Sequence, residues 1–445
     1  MNTRLITLWE TIRTSFWFVP SIMALVAIGL SQVGLAFDHF GASSELKIFA
    51  DFYQTSPESA RALLTTIASS MITVTSIAFS ITVVALSLAS SQFGPRLIRN
   101  FMMDTGTQCV LGFFLSTFIY CLLIIQATKS FDEQNFVPGL SILTSVLLAV
   151  LGVGVLIYFI HHVARAIQAD TVIDNVYCEL NEIIERLFPT GRAQQPAIVS
   201  SEMPDFSQRY PNQQDIFSEE SGYIQTLDLA YLSQLAKECD MALKIHYMPG
   251  DFVVEGAVIG TAYFHGTTFG CEPQKISELM RLGAHRTPIQ DVEFAIRQLV
   301  EIAVRALSPG INDPYTAVTV VDKLSAVLCT LTAKPFPQAI HEDENGVIRL
   351  QCKPIVFTGL GEAAFNQIRQ YSKDSLAVTI RLLEGLSSIL RFSQTPEHRQ
   401  FVRQQATMIE QIQSNLTLGE QDWHDIKRRL DEIKRHLDSD PSSPS

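Results

Sequence analysis

The chain has 445 residues, of which 47% are hydrophobic and only 18% are charged, and its formal net charge at pH 7 is −12. The charged fraction is below the roughly 25% of an average soluble protein, and the first 160 residues carry only seven Lys or Arg and eight Asp or Glu. The acidic balance argues against a nucleic-acid partner, because phosphate binding needs clustered Lys and Arg.

Four long stretches lack Asp, Glu, Lys, Arg and His, and each predicts a transmembrane helix. A helix rises about 1.5 Å per residue, so about 20 residues cross a hydrocarbon core of roughly 30 Å. All four stretches are long enough: Thr14–Phe37, Ala62–Pro95, Thr105–Thr128 and Gln134–Ile160. They predict a four-helix transmembrane domain over residues 1–160. No ionisable residue lies inside a predicted span, which argues against a proton-coupled transporter.

Basic residues flank the predicted spans on one side of the membrane, whereas the opposite loops, 38–61 and 129–133, are mostly acidic. Lys and Arg concentrate on the cytoplasmic side of membrane proteins. The basic residues that set the orientation are Arg4, Arg13, Arg96, Arg99 and Arg165. They predict a multi-pass protein with both termini in the cytoplasm.

The second predicted span is unusual, because its 34 residues would form a helix about 50 Å long that overshoots the bilayer. Hydroxyl side chains recur along it at helical spacing, at Thr66, Ser69, Thr73, Ser76, Ser80, Ser87 and Ser91. One interpretation is helix packing, since small residues let membrane helices approach closely. The other is a pore that dewetting would gate at Val83 or Val84. The candidate pore-lining residues are Thr66, Ser69, Thr73, Ser76, Ser80, Val83, Val84 and Ser87.

The fourth predicted span has no Gly or Pro between Val155 and Phe188, which predicts a continuous helix that leaves the membrane and extends over 161–188. Beyond the membrane its apolar residues repeat at four and three, as in a coiled coil. This apolar seam comprises Ala169, Ile173, Val176, Leu180, Ile183 and Leu187. It predicts either self-association or packing on the protein's own cytoplasmic region. His161 and His162 at the boundary are interpreted as interfacial anchors or as pH sensors.

The remaining chain predicts a cytoplasmic α+β domain. Residues 189–221 are rich in Pro, Gln and Ser and are interpreted as a linker or long loop. Short apolar segments around turns predict a small β-module over 222–270. Helical periodicity predicts a mostly helical region over 271–438, followed by a disordered tail over 439–445.

A dense polar cluster lies at the predicted junction of two cytoplasmic helices. Thr287-Pro288-Ile289-Gln290 has the pattern of a capping box with Pro at the first helical position, and Asp313 is placed to cap the next helix. The cluster comprises Arg286, Gln290, Asp291, Arg305, Ser308, Asn312 and Asp313. It predicts either a site for a small ligand or anion, held by an arginine, or a structural junction of caps and ion pairs.

Most enzyme signatures are absent, including GxxxxGK[ST], HExxH and GxSxG. Gly359–Ala364 fits the pattern GxGxxA, but a dinucleotide site also needs a surrounding βαβ unit, so a turn is expected there. The seven cysteines form no CxxC pair, which is typical of free thiols in a reducing compartment. The sequence therefore predicts no catalytic residue, no metal site and no cofactor.

The stretch Arg286–Val318 reads RTPIQDVEFAIRQLVEIAVRALSPGINDPYTAV, and with SFWFVP at Ser15–Pro20 and SSQFGPRLIRNF at Ser90–Phe101 it resembles a known bacterial family. This is the family of predicted membrane proteins called domain of unknown function 2254. The resemblance covers nearly the whole chain. It implies a bacterial inner-membrane (plasma-membrane) protein and supplies no catalytic residue, cofactor or substrate.

Two functional hypotheses follow. The first is a homo-oligomeric inner-membrane channel or channel-like protein, with the second span lining the path and the cytoplasmic domain regulating it. The alternative is a membrane-anchored sensor or scaffold whose cytoplasmic domain binds a ligand or a protein partner. The expected partners are the lipid bilayer and further copies of the chain, and neither hypothesis identifies a small ligand or ion.

Overall fold

A computed structural model describes residues 17–41, 56–95, 104–128, 137–189, 205–266 and 276–439. The chain divides into two compact units, Met1–Val172 and Ile173–Ser445. The described part of the first unit is helical and the second unit mixes helices with two β-sheets, which confirms the predicted helical N-terminal region and C-terminal α+β region. Arg4, Arg13, Arg96 and Arg99, on which the predicted orientation depends, lie outside the described residues.

The first unit contains four long helices in its described residues. They are α1 (Phe18–Gly41), α2 (Pro57–Phe93), α3 (Thr105–Ala127) and α4 (Gly139–Ala166). Helix α3 packs against the other three, and its large side chains Phe114, Tyr120 and Ile124 are almost fully buried.

Charged side chains form hydrogen bonds with free backbone groups at the start of α4 and the end of α3. The start of α4 has no local side-chain cap, and Asp38 of α1 accepts hydrogen bonds there from the backbone N–H groups of Leu140 (2.8 Å) and Ser141 (3.1 Å). At the end of α3, Arg61 of α2 donates from Nε to the Thr128 carbonyl at 3.0 Å. An acid at a helix N-terminus and a base at a C-terminus both match the helix dipole. These contacts join α1 to α4 and α2 to α3.

Five helices in the described residues are long and apolar enough to cross a membrane, whereas the sequence predicts four. Four of them are α1 to α4, and the fifth is Pro314–Thr332 in the second unit. The fifth is the least apolar of the set, and its side chains Val320, Val321 and Leu324 are completely buried inside the protein.

The predicted helical extension over 161–188 is not continuous. Helix α4 ends at Ala166 and α5 begins at Ala169 and ends at Leu187. A tight turn separates them, in which Gln168 N–H donates to the Arg165 carbonyl at 3.0 Å. The absence of Gly and Pro removes helix breakers, but it does not oblige a helix to continue when tertiary packing favours a turn.

The apolar seam of α5 is covered by the same chain from Ile173 onward. Ile173, Val176, Leu180 and Ile183 are at most 3% exposed. At the exposed edge of α5, Lys334 Nζ lies 2.6 Å from Glu185 Oε2. Of the two interpretations of this seam, packing on the protein's own second unit is therefore confirmed.

The strands in the described residues of the second unit form two sheets. A five-stranded sheet has the order β1-β5-β3-β8-β7, and a three-stranded sheet has the order β4-β2-β6. Their bounds are β1 (Asn212–Phe217), β2 (Gly222–Leu227), β3 (Met241–Ile245), β4 (Phe252–Val253), β5 (Val258–Phe264), β6 (Met280–Gly283), β7 (Ile340–Glu342) and β8 (Ile348–Gln351). Helix α6 (Leu229–Glu238) precedes β3.

The β region is larger than the predicted module over 222–270. Strand β1 lies inside the predicted linker 189–221, of which residues 190–204 are outside the described residues. It reads NQQDIF and only Ile216 is buried, so it lacks the apolar alternation that marks a strand. Strand β8 pairs in parallel with β3 from about a hundred residues away, a pairing that local patterns do not reveal.

Six further helices lie in the described residues of the second unit. They are α7 (Val292–Ala306), α8 (Pro314–Thr332), α9 (Phe357–Tyr371), α10 (Leu376–Phe392), α11 (Pro396–Ser414) and α12 (Glu420–Asp438). The GxGxxA stretch lies in the first turns of α9 and is not the expected turn. A Cβ on Gly361 would lie 2.6 Å from the Phe401 ring, so this glycine lets α9 and α11 approach closely.

Candidate functional site

The predicted stripe of hydroxyls forms one face of α2, and the described residues of the chain bury none of it. We call this set the hydroxyl face: Thr66, Ser69, Thr73, Ser76, Ser80, Ser87 and Ser91. All seven residues are exposed, as are Val83 (48%) and Val84 (59%). Helix α2 instead packs against α3 and α4 through a different set of residues, which are Ala60, Leu64, Ile67, Ala68, Met71, Ala78 and Ala89. The stripe therefore makes no packing contact with the described helices of its own chain, and packing between copies and a pore remain its two interpretations.

Several hydroxyls of this face donate to the backbone of their own helix. Thr66 donates to Ala62 O (2.8 Å), Thr73 to Ser69 O (2.8 Å) and Ser80 to Ser76 O (2.9 Å). A donor satisfied in this way can sit in apolar surroundings at little cost. Each oxygen still has a lone pair that can accept a hydrogen bond from water or from another chain.

The length of α2 exceeds the thickness of a bilayer. Its 37 residues correspond to about 55 Å, against a hydrocarbon core of roughly 30 Å. The helix starts after Ser56, whose hydroxyl accepts a hydrogen bond from Ser59 N at 3.2 Å, with Pro57 in the first turn. It ends at Gly94, whose φ of 117° favours glycine.

A carboxylate lies in line with the hydroxyl face at the start of α2. Glu58 is exposed and precedes Thr66 by eight residues, close to two helical turns, so both project from one side. The nearby Arg61 is directed to the carbonyl of Thr128 at the end of α3. The described start of this face is therefore acidic.

The polar junction in the second unit contains two separate groups. Arg286, Gln290 and Asp291 lie before α7, whereas Arg305, Ser308, Asn312 and Asp313 lie at or beyond its end. The 15 residues of α7 separate the groups by about 22 Å. The seven candidate residues therefore do not surround a single ligand.

The group before α7 is a buried ion pair. Arg286 donates from Nε to Asp291 Oδ2 (2.8 Å) and from Nη2 to Asp291 Oδ1 (3.0 Å). Asp291 is almost fully buried and also accepts from Phe294 N at 2.9 Å, so it caps α7. Burial raises the pKa of the Asp291 carboxyl above its usual value, although Arg286 opposes that shift.

The predicted capping box at Thr287–Gln290 is wrong, because α7 begins only at Val292. Gln290 instead accepts a hydrogen bond from Leu227 N at 2.8 Å, at the end of β2. Asp291 is one residue further along and is held by Arg286, so it provides the cap. A neighbour missed by sequence reasoning is Gly250, where an added Cβ would lie 2.2 Å from Asp291 Oδ2.

The group beyond α7 consists of local caps and a turn. Ser308 Oγ donates to Arg305 O at 2.6 Å, and Asn312 has a left-handed φ of 51°. Asp313 accepts from Thr316 N (3.2 Å) and Thr316 Oγ1 (2.6 Å), which confirms it as the cap of α8. Arg305 lies 3.5 Å from Glu301 one turn earlier. These contacts favour the structural interpretation of the junction.

A cavity of about 150 Å³ lies in the second unit, between the two sheets and the loop after β1. Its floor is apolar and its rim carries three carboxylates. It is lined by Ser218, Glu219, Glu220, Ile224, Ile259, Ser277, Glu278, Met280 and Leu282. No sequence pattern marked it, because its walls come from separate strands. Within the described residues no group of three or more His, Cys, Asp and Glu could hold a metal ion.

Comparison with known proteins supports a membrane protein. The family model described as "Predicted membrane protein (DUF2254)" matches residues 13–388. The chain is 31% identical over 405 residues to the uncharacterized protein Rv1290c of Mycobacterium tuberculosis, which covers 90% of this chain and 76% of that protein. The uncharacterized protein Mb1321c of Mycobacterium bovis matches with the same identity and coverage. No solved structure matches the chain.

Proposed function

The chain belongs to the family of predicted membrane proteins called domain of unknown function 2254, and on that premise we propose that it is a homo-oligomeric channel of the bacterial inner membrane. Helices α1 to α4 cross the membrane, both termini are cytoplasmic, and the second unit is the cytoplasmic regulatory domain. Helix α8 belongs to that domain, because its apolar side chains are already covered by the protein and gain nothing from lipid.

The observation that carries the proposal is the contrast between the exposed surfaces of the helices. The exposed side of α4 is apolar, with Val150, Val153 and Ile157 each more than 60% exposed, as expected of a surface that meets lipid. The hydroxyl face of α2 is also exposed, but it is polar. A polar face on a membrane helix normally meets another helix or water rather than lipid.

The spacing of the hydroxyl face supports contact between copies of α2. From Thr66 the residues recur at intervals of three, four, three and four up to Ser80, and Val83 and Ser87 continue the pattern. A repeat of 3.5 residues keeps one face of a helix turned to a shared axis in a left-handed bundle. Copies of α2 around such an axis would surround a path lined by hydroxyls.

The proposed path has a candidate gate toward the C-terminal end of α2. Val83 and Val84 interrupt the hydroxyls and are exposed on the isolated chain. A ring of such side chains in an oligomer would form an apolar constriction that blocks ions when it dewets. The candidate lining residues are therefore those predicted from the sequence, from Thr66 to Ser87.

The alternative is a membrane-anchored sensor or scaffold, and the cavity in the second unit favours it. The cavity, of about 150 Å³, is below the roughly 300–1,000 Å³ of typical ligand sites, so it suits only a very small ligand, and it combines an apolar floor with Glu219, Glu220 and Glu278. In that case the hydroxyl face would be a subunit contact and no ion would cross. A thermal-shift screen with small organic amines that finds a stabilisation, lost in Glu278→Gln, would support this alternative.

Single-channel recording from the purified protein in a planar bilayer tests the proposal. Discrete current steps are expected in the wild type, and Ser76→Trp and Ser80→Trp should reduce the unitary current. The control is Ile81→Trp, because Ile81 is also exposed but lies about 140° around the helix from Ser76 and about 100° from Ser80. A silent bilayer with folded, inserted protein would refute the channel, and equal currents in all three variants would refute the lining.

A further inference from the structure

The end of α4 and the start of α3 meet through a histidine and a carboxylate. His162 Nε2 lies 2.7 Å from Asp104 Oδ2, and each side chain is about a quarter exposed. Asp104 is also the cap of α3, because its carboxylate accepts from Gly106 N (3.3 Å) and Thr107 N (3.0 Å). The carboxylate is therefore fixed by α3, and the imidazole reaches it from α4.

Two neighbours fix the imidazole in place. The Tyr158 ring lies one turn earlier on α4 and stacks on the His162 ring, with centroids 5.4 Å apart and an interplanar angle of 17°. On the α3 side, a Cβ on Gly106 would lie 2.6 Å from His162 Nε2. Glycine at this position lets the imidazole come close enough to reach Asp104. The contact is therefore built by both helices and is not an incidental surface pair.

The charge on Asp104 is constant over the physiological range. Burial acts to raise its pKa, but hydrogen bonds from Thr107 and His162 outweigh burial and leave the pKa lowered. A carboxylate whose pKa is lowered by folding stabilises the folded protein at pH values above its unfolded-state pKa of about 3.9. That stabilisation is lost only as the pH falls through the folded-state pKa. Histidine is the side-chain type whose ordinary change of charge falls between pH 5 and 8.

We infer that His162 and Asp104 form a proton-operated clamp that ties the end of α4 to the start of α3. Protonation converts a neutral hydrogen bond into a charge-assisted one, which is shorter and stronger. The clamp is therefore tightest under mildly acidic conditions and loosens as the imidazole loses its proton. The side of the membrane on which it lies rests on the proposed function, but its chemistry does not.

Among the described residues, the other charged groups near the clamp lie on α4. His161 and Arg165 are exposed neighbours of His162 on the same helix, and Arg165 is the basic residue of its last turn. On α3, Asp104 is the ionisable group in contact with His162 among the described residues. His161 therefore provides a matched control, because it is a histidine one position away that points elsewhere.

The test compares thermal unfolding of the full-length wild type, His162→Gln and His161→Gln between pH 5 and 8. Glutamine retains a hydrogen-bond donor but does not titrate. The midpoint of the wild type should exceed that of His162→Gln by roughly 2 °C at pH 5.5, and the difference should vanish toward pH 8. His161→Gln should follow the wild type throughout. Other titrating groups are common to all three proteins and cancel in the difference.

A second measurement separates the clamp from a merely structural contact. In a double-mutant cycle with Asp104→Asn, which retains a capping side chain, the coupling between residues 104 and 162 should be larger at pH 5.5 than at pH 8. A coupling free energy between residues 104 and 162 that is the same at every pH would refute the clamp but would not bear on the channel. A silent bilayer, with a pH-dependent difference in unfolding, would refute the channel and leave the clamp standing.

Discussion

Gly250 lies where a β-turn packs on the buried ion pair before α7, and its replacement by alanine should destabilise the second unit. Its φ of 99° is unfavourable for an L side chain, which costs about 1–3 kcal/mol. The new Cβ would lie 2.2 Å from Asp291 Oδ2 and 2.9 Å from Arg286 Nη2. Separation of a buried ion pair costs about 3–5 kcal/mol, so the total should exceed about 3 kcal/mol even with partial relaxation.

The matched control for Gly250→Ala is Gly256→Ala. Gly256 also has a positive φ, of 79°, but an added Cβ would meet nothing within 4 Å. It should therefore show only the same backbone cost of about 1–3 kcal/mol. The difference between the two variants isolates the contact with Asp291.

Hydrogen exchange on the full-length protein provides the assay. Protection at the start of α7 and along β2 should fall far more in Gly250→Ala than in Gly256→Ala, because the turn after β3 contacts both elements. Gly250 N–H donates to Ile224 O at 2.8 Å in β2. Equal losses in the two variants would refute the reasoning, since they would show that the ion pair moves aside at no cost.

Three further predictions concern charged residues. If the hydroxyl face lines a cation path, Glu58→Gln should shift the reversal potential in a salt gradient toward zero, and an unchanged potential would contradict this. Asp38→Ala should lower the unfolding midpoint, because two buried N–H groups lose their acceptor at about 1–3 kcal/mol each; Asp38→Asn should lose less. Burial lowers the pKa of His398 in the folded protein. The stability that its neutral form contributes is therefore present above the unfolded-state pKa of about 6.5 and is lost as the pH falls through the folded-state pKa. Acidification should therefore destabilise the wild type, and His398→Gln should flatten that dependence.

The sequence predicted the long helices well where a strong local signal marks both ends. The third span was expected at Thr105–Thr128 and is observed at Thr105–Ala127, because a run of apolar residues ends sharply at a capping aspartate. The second helix begins at Pro57 rather than Ala62. A charge-free criterion stops at Arg61, although that arginine is helical and is directed to a carbonyl of α3.

Features that depend on distant residues were not predictable from local patterns. The cap of α7 is Asp291 and not Thr287, because Arg286 holds the Asp291 carboxylate in position and the backbone N–H of Leu227 donates to the Gln290 side chain. Strand β1 is polar because it lies at the edge of its sheet. In both cases the decisive partner is far away in sequence or leaves no periodic pattern.

The charged ends of α3 and α4 bear on how the hydroxyl face should be interpreted. Asp38, Arg61, Asp104 and His162 all find partners at helix ends within the described first unit. These four side chains therefore have their partners inside one chain, with an acid at each helix N-terminus and a base at each C-terminus. The hydroxyl face is different, because its side chains leave acceptor capacity directed away from the chain that carries them. These acceptors find donors only if water or a second copy of α2 lies opposite. The Ser76→Trp and Ser80→Trp variants decide between the two. If the face lines a water-filled path, the variants reduce the current; if it is a dry contact between copies, they disrupt the oligomer.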